Sequence, residues 1–173
     1  MDFFETVKKR HSYRDDFSDK PVKKEDIEMI LDAAIRAPSG CNGQTTSFIA
    51  VTDKDILQKL AQIVEKPVTK TAPCVIAVLC EHRIVYNDMA FEIEDYAASV
   101  ENLLLAVTAL GYASVWLDGY TRQGTNSAQI AKLLNVPENL TVRCLIPIGV
   151  PTTEVQQRER KSFNERVHWN TYS

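Results

Sequence analysis

CVIAVLCEHRIVYNDMAFEIEDYAASVENLLLAVTALG, residues 74–111, contains the two segments from which the fold class of this chain follows. Residues 74–80 are almost continuously apolar, which predicts a strand that is buried on both faces. Apolar residues then recur at steps of three and four over residues 88–110, which predicts a long helix that stops at Gly111. A buried strand followed by a long helix with an apolar face indicates a sheet covered by helices.

Weaker patterns on either side predict the remaining elements. We expect helices over residues 2–9, 24–35, 54–64 and 127–134, and strands over residues 47–51, 113–117 and 142–148. In the first helix, Phe3, Phe4 and Val7 share one face. Residues 39–44 form a loop, because the residue before Pro38 is disfavoured in the α region. This order indicates an α+β fold, and a length of 173 residues fits a single domain over residues 1–173.

Composition gives no indication of a nucleic-acid or membrane partner. The net charge is −3, and hydrophobic and charged residues make up 45% and 25% of the chain, as in ordinary globular proteins. No segment is both long enough and apolar enough to span a bilayer. Residues 1–10 alternate charged and apolar side chains, unlike a secretory signal, so we expect a cytoplasmic protein.

The four cysteines suggest neither a metal site nor a disulfide framework, because they are widely spaced and none forms a CxxC pair. Cys74, Cys80 and Cys144 lie in apolar runs and are interpreted as small buried hydrophobic residues. Cys41 lies in the 39–44 loop, where a reactive thiol and a spectator role are both open, with the spectator role favoured.

The segment Arg10-His11-Ser12-Tyr13-Arg14 follows the first predicted helix directly. Arginine binds phosphate through a planar, bidentate guanidinium, and a serine hydroxyl supplies a further donor. The segment is therefore a candidate anion site. In the alternative interpretation, the basic residues around Arg10 only complement the negative end of the helix dipole.

The loop from Ala37 to Gln44 is a second candidate site. Its two glycines permit close approach of the backbone to a ligand, and the amides of Asn42 and Gln44 offer both donors and acceptors. These groups suit the edge of a heteroaromatic ring. An ordinary turn between a helix and a strand would use the same residue types.

The chain becomes polar and charged from Pro151, and aromatic residues return only near its end. Such a tail cannot form a core of its own, so residues 151–173 are expected to lie across another surface, such as a partner subunit. The tail includes the basic run from Arg158 to Lys161, which is either a binding element or a solvated charged segment.

The sequence lacks the motifs of several common nucleotide-binding, metal-binding and hydrolytic sites. The chain has no GxGxxG, no GxxxxGK[ST], no HExxH and no GxSxG, and its three histidines are far apart. Glu92, Glu94 and Asp95 are interpreted as a solvated, acidic first turn of the long helix. Anion and amide sites without evident acid–base residues are consistent with a cofactor that carries the reaction.

Taken together, these segments resemble the nitroreductase family in its short single-domain form, in the family's order and over nearly the whole chain. Arg10-His11-Ser12-Tyr13-Arg14 resembles the family's Arg-Arg-Ser-x-Arg motif. Four further segments resemble family segments: residues 33–39 followed by Asn42 and Gln44; residues 101–106 and 109–112; residues 148–151; and Arg158-x-Arg160 followed by residues 167–169.

The resemblance implies an α+β sandwich with a mixed, largely antiparallel sheet. It also implies a homodimer that holds two FMN molecules at its interface and exchanges the C-terminal arm, residues 151–173. Its phosphate and ribityl contacts would come from Arg10, His11, Ser12, Arg14, Arg158 and Arg160. Its isoalloxazine contacts, partly across the interface, would come from Pro38, Ser39, Gly40, Asn42 and Gln44. Leu117, Asp118 and Gly119 would lie near the ring, where a backbone N–H could donate to the reactive nitrogen.

The activity implied is a ping-pong transfer of hydride from NAD(P)H through FMN to nitroaromatic, quinone or related acceptors. The flavin carries the chemistry, and no catalytic side chain or metal is expected. Two alternatives stay open: a specialised flavoenzyme that acts on one metabolite, such as a dehalogenase or a flavin-degrading enzyme, and a non-catalytic flavin-binding protein.

The chain departs from the family pattern at two places. His11 stands where the family has its second arginine, so one phosphate contact is weaker or sensitive to pH. Thr45-Thr46 stands where the family has Pro-Trp after the glutamine, which removes a bulky aromatic residue and leaves the acceptor class open.

Overall fold

The computed structural model describes residues 1–172 and contains six α-helices and six strands in that range. Ser173, the last residue of the predicted C-terminal arm, lies outside the described residues. The helices are α1 (Phe3–Lys9), α2 (Lys24–Ile35), α3 (Lys54–Ile63), α4 (Pro67–Thr71), α5 (Glu92–Ala109) and α6 (Asn126–Leu133). The strands are β1 (Thr46–Val51), β2 (Cys74–Glu81), β3 (Ile84–Tyr86), β4 (Met89–Ala90), β5 (Ala113–Ser114) and β6 (Leu140–Gly149).

Four of the strands form one open sheet in the order β1-β2-β6-β5. Every pairing in it is antiparallel, so the predicted α+β fold with a largely antiparallel sheet is confirmed. Among residues 1–172 the sheet lacks the parallel pairing that a mixed sheet would have. None of the helices in this range is both long and apolar enough to cross a bilayer.

The central strand β2 is buried on both faces, which explains its continuous apolar sequence. Side chains alternate along a strand, so Val75, Ala77 and Leu79 share one face, packed with residues of α3 and α6. The opposite face carries Cys74, Ile76, Val78 and Cys80, packed with residues of α2 and α5. Cys74, Cys80 and Cys144 are buried as predicted, and Cys41 is exposed.

The predicted start of the long helix at residue 88 is wrong, because α5 begins at Glu92. Residues 84–90 instead form the hairpin β3–β4. Its turn residues Asn87 and Asp88 have φ of 42° and 61°, the left-handed conformation that tight hairpin turns require and that Asn and Asp tolerate. Met89 lies four residues before Ile93, which is helical spacing, so periodicity alone assigned the end of this hairpin to the helix.

Three smaller differences concern α4, β5 and α1. The short helix α4 was not predicted. The strand expected over residues 113–117 is only two residues long, and Leu117 forms an isolated bridge with Leu145. In α1, the face formed by Phe3, Phe4 and Val7 is exposed in the single chain, where the polar Thr6 is the buried residue.

Candidate functional site

The two ends of the chain lie side by side and are joined by hydrogen bonds. Tyr13 is fully buried, and its hydroxyl donates to the Asp16 carbonyl at 2.6 Å and accepts from the backbone N–H of Thr152 at 3.0 Å. Further along the arm, the Gln157 amide donates to the Arg10 carbonyl at 2.7 Å. These contacts bring the Arg10–Arg14 segment and the segment that follows β6 to one place.

A cleft of about 310 Å³ lies between these two segments. Its lining contains five of the predicted cofactor-binding residues, namely His11, Ser12, Arg14, Arg158 and Arg160. The remaining lining residues are Asp15, Val155, Gln156 and Gln157. Three guanidinium groups and one hydroxyl around a small cleft are the donor set that binds phosphate. Residues nearly 150 positions apart in sequence, such as Ser12 and Arg160, thus line one cavity, which we call the cationic cleft.

His11 carries an unused polar atom beside this cleft. Its Nδ1 lies 2.9 Å from the Lys9 carbonyl oxygen. Its Nε2 is buried and has no hydrogen-bond partner in the described part of the chain. Because a carbonyl oxygen only accepts hydrogen bonds, Nδ1 carries the proton of this contact, and Nε2 is left as a buried atom without a partner among the described residues. The cleft fits a phosphate group by its donor set, the three arginines and Ser12.

A second cleft, of about 250 Å³, adjoins the first through Arg14, which lines both. It is bounded by the predicted ring segment Leu117, Asp118 and Gly119, and by Trp116 and Tyr120. A Cβ atom added to Gly119 would meet nothing within 4 Å, so the backbone of this residue is accessible from the cleft. We call this second cleft, which Trp116, Tyr120 and the 117–119 segment line, the ring cleft. The two clefts, which share Arg14, are together called the groove.

The loop after α2 holds an unusual backbone. Cys41, Asn42 and Gln44 have φ of 50°, 56° and 50°, a conformation that non-glycine residues rarely adopt. Gly40 is required by close packing, because a Cβ atom there would lie 2.4 Å from the Phe91 ring. Strained backbone of this kind persists only where neighbouring groups hold it.

The group that holds the loop is Asp95, whose carboxylate accepts from the Gly40 N–H at 2.8 Å and from the Thr45 hydroxyl at 2.6 Å. Asp95 is only 3% exposed, so its interpretation as part of a solvated first turn is wrong. The interpretation holds for Glu94, which is exposed. Glu92 is paired with His82, and that hydrogen bond lowers the pKa of the Glu92 carboxyl.

Comparison with known proteins identifies the family of this chain. The sequence profile of the Nitroreductase family matches residues 7–74 and 64–150. A protein of Archaeoglobus fulgidus named "Putative NADH dehydrogenase/NAD(P)H nitroreductase" is 35% identical over 155 residues, which cover 88% of each chain.

The chain belongs to the nitroreductase family.

Solved structures of other members share the fold of this nitroreductase family protein. A protein of Bacteroides thetaiotaomicron with the same name as the Archaeoglobus relative has a TM-score of 0.85 and 26% identity, covering 98% of this chain and 97% of its own. An FMN-dependent nitroreductase of Clostridium difficile has a TM-score of 0.83 and 29% identity, covering 98% and 99%. The predicted family and fold are confirmed.

Arg10 differs from the other predicted phosphate ligands, because it does not line the cationic cleft. Its Nε lies 3.4 Å from a carboxylate oxygen of Glu101 on α5, and its side chain is 16% exposed. The carbonyl of Arg10, rather than its guanidinium, contacts the C-terminal arm through Gln157.

The loop residues Pro38, Ser39, Gly40, Asn42 and Gln44 line neither cleft of the single chain. Thr45, the first residue at the position of the family's Pro-Trp, is 2% exposed and points its hydroxyl to Asp95. Sequence reasoning missed Asp95, Tyr96 and Gln157 as supports of the site. Each of these three side chains contacts a residue that is distant in sequence, so no local sequence pattern indicated its role.

A larger cleft of about 760 Å³ lies elsewhere, between α3, α4 and the segment before α2. None of the predicted site residues lines it. We place the site in the smaller groove because cationic, hydroxyl and backbone donors converge there. Among residues 1–172, no group of three or more His, Cys, Asp or Glu side chains could hold a metal ion.

Proposed function

We propose that this nitroreductase family protein is an FMN-dependent oxidoreductase that uses NAD(P)H to reduce nitroaromatic, quinone or related acceptors by a ping-pong mechanism. The observation that carries the proposal is the cationic cleft, which Ser12, Arg14, Arg158 and Arg160 line together. FMN, when bound, would supply the redox chemistry. No described side chain is needed as an acid or base.

The protein's part is binding, orientation and charge. In the proposal, Ser12 and the three arginines bind the phosphate, and Arg14 also borders the ring cleft. The accessible backbone at Gly119 supplies the N–H donor toward the ring's reactive nitrogen. Fixed N–H dipoles and cations beside a ring that gains negative charge favour its reduction, since they need no reorganisation.

We further propose a cytoplasmic homodimer in which residues 1–173 form one domain and residues 151–173 wrap the partner. Two observations support the homodimer. The loop from Pro38 to Gln44 lines neither cleft of its own chain, as expected if it completes the partner's site. Large apolar side chains are exposed at both ends of the chain, including Phe3 and Phe4 of α1 and Phe163, Trp169 and Tyr172 of the arm. Isolated exposed apolar residues are normal, but groups of them mark interfaces.

An absorption spectrum and two rate measurements test the proposed function. The purified protein, incubated with FMN and desalted, should retain flavin absorption bands at about 370 and 450 nm. It should then oxidise NADH or NADPH faster with a nitroaromatic or quinone acceptor than with air alone. A colourless protein that takes up no FMN would contradict the proposal. A yellow protein without turnover with any acceptor would indicate a flavin-binding protein instead. Turnover restricted to one metabolite would indicate the specialised alternative.

A further inference from the structure

Arg143 occupies an irregular position in the middle of the sheet. The register between β2 and β6 shifts at Val78 and Leu79, which pair with Cys144 and Val142, so Arg143 is left without a partner on β2. An extra residue of this kind is a β-bulge, and bulges re-aim side chains next to functional sites. The bulge thus places a charged residue between Val142 and Cys144, which are both buried.

The Arg143 guanidinium is directed toward Tyr96 of α5. Its central carbon lies 5.2 Å from the centre of the Tyr96 ring, a cation–π contact, and this interaction with the Tyr96 side chain raises the pKa of Arg143. The Nε of Arg143 is buried and has no hydrogen-bond partner among residues 1–172. Replacing a partly desolvated charge by an apolar side chain of similar volume is often neutral or stabilising. Stability alone therefore does not explain an arginine here.

Tyr96 also contacts Asp118, a residue that lines the ring cleft. Tyr96 is 5% exposed, and its hydroxyl donates to Oδ2 of Asp118 at 2.8 Å. Burial raises the pKa of Tyr96, so the hydroxyl stays protonated and remains a donor. Asp118 belongs to the segment that lines the cleft next to Gly119, and its other oxygen accepts from Arg122.

The result is a chain of polar groups from the sheet to the cleft. One carboxylate, Asp118, is held between Tyr96 and Arg122, and Arg143 lies behind Tyr96. The charges of the two arginines and the one aspartate sum to +1. Positive charge beside the ring favours whichever redox state of a bound flavin carries more negative charge, and low-dielectric surroundings strengthen this effect.

We propose that Arg143 is a positioning residue which, through Tyr96 and together with Arg122, controls the charge and placement of Asp118 and so sets the reduction potential of the flavin. This inference rests on the proposed function, because it requires FMN in the adjoining cleft. Arg143 itself does not line the cleft, so it acts on the ring through its charge and through Asp118.

Two substitutions should move the potential in opposite directions. Asp118→Asn keeps an acceptor for Tyr96 but removes the negative charge, so the midpoint potential should rise. Arg143→Met keeps most of the side-chain volume but removes a positive charge, so the potential should fall. We expect each change to alter the ratio of affinities for the two redox states by about tenfold, which is ~30 mV for a two-electron couple. A purely structural role would not give shifts of opposite sign.

Tyr96→Phe is the third variant, because it keeps the ring that Arg143 contacts and removes only the hydroxyl that donates to Asp118. Asp118→Asn introduced into this background should still raise the potential, whereas Arg143→Met should have less effect than in the wild-type protein. Arg36→Gln serves as the matched control. Arg36 is paired with Asp32 four residues away, as Arg122 is with Asp118, but that pair is exposed at the C-terminal end of α2.

The measurements are the midpoint potential of each FMN-loaded variant against a reference dye, the Kd for FMN, and urea unfolding of the apoprotein. Opposite shifts in the Asp118 and Arg143 variants, with an unchanged Arg36 control, would support the inference. Potential shifts of the same sign in the two variants would overturn it. So would a change of less than twofold in the ratio of affinities for the two redox states while FMN still binds. If Arg143→Met does not fold, the Asp118 and Tyr96 variants decide. Failure of the wild-type protein to bind FMN would instead overturn the proposed function and this inference with it.

Discussion

Asp95 and Tyr96 are consecutive residues of α5, yet their side chains hydrogen-bond to two different segments of the candidate site. Asp95 accepts from the Gly40 N–H at 2.8 Å and thereby holds the loop after α2. Tyr96 donates to Asp118 at 2.8 Å and thereby holds the segment that lines the ring cleft. One turn of a helix that is packed against the sheet therefore sets the positions of both segments.

The Asp95 contacts predict a loss of stability when the carboxylate is removed. Asp95→Ala leaves the Gly40 N–H and the Thr45 hydroxyl without their acceptor, and hydrogen bonds to a charged group contribute roughly 1.5–3 kcal/mol each. We expect the free energy of unfolding in urea to fall by about 3 kcal/mol. Thr45→Val removes one of the two bonds and should cost about half as much. An Asp95→Ala protein as stable as the wild type would show that the loop is held by other contacts.

The cationic cleft predicts which arginines matter for FMN. Arg14→Ala combined with Arg160→Ala should weaken FMN binding by several kcal/mol, because each charge-assisted hydrogen bond contributes roughly 1.5–3 kcal/mol. Arg10→Ala should have a smaller effect, since Arg10 is paired with Glu101 outside the cleft. Fluorescence titration of the apoproteins gives the three Kd values, with Arg36→Ala as a control far from the groove. A larger loss from Arg10→Ala than from the double variant would place the phosphate elsewhere.

Two glycines should respond differently to an added methyl group. A Cβ atom at Gly40 would lie 2.4 Å from the Phe91 ring, so Gly40→Ala should lower the free energy of unfolding by about 1–3 kcal/mol, the usual cost of overpacking. Gly119 has open space around it, so Gly119→Ala should leave stability unchanged but weaken FMN binding. Urea unfolding and FMN titration of both variants check this. Equal stability of the two variants would contradict the packing described around Gly40.

The cysteines should differ in reactivity. Burial raises the pKa of the Cys74 and Cys80 thiols to about 12, and it also raises the pKa of Cys144. These thiols therefore stay protonated and inaccessible near pH 8, and only thiolates react readily. Iodoacetamide should label Cys41 alone in the native protein and all four cysteines in urea, as mass spectrometry of tryptic peptides would show. Native labelling of Cys74 or Cys80 would mean that the β2 core opens easily.

The exposed aromatic residues of the arm predict a dimer that depends on them. Trp169 is 76% exposed in the single chain, and burying a large aromatic side chain in an interface stabilises it by roughly 2–4 kcal/mol. Trp169→Ala should therefore weaken dimerisation by a factor of about 30 or more, as measured by sedimentation equilibrium. Trp169→Phe should retain much of the affinity. A wild-type protein that is monomeric at micromolar concentration would contradict the homodimer.

The sequence predicted well those elements whose residues carry a strong local pattern. The continuous apolar run in β2 and the three- and four-residue spacing of apolar residues in α5 are such patterns. In both elements, residues close together in sequence identify the buried face. The start of α5 was misplaced because Met89, at the end of the 84–90 hairpin, lies at helical spacing from Ile93. Asp95 was misread because an acidic residue in a first helical turn already has a local explanation. Its true partner, Gly40, lies 55 residues earlier.

By itself, the sequence determined the family, the order of the elements and the residue types able to bind an anion, because these depend on local spacing and on side-chain chemistry. Only the tertiary structure decided which of those residues meet. The antiparallel contacts of the chain ends bring Arg14, Arg158 and Arg160 around one cleft and leave Arg10 with Glu101. The fold also joins a bulged strand, Tyr96 and Asp118 into one network. Such contacts join residues far apart in the chain, and no spacing pattern encodes them.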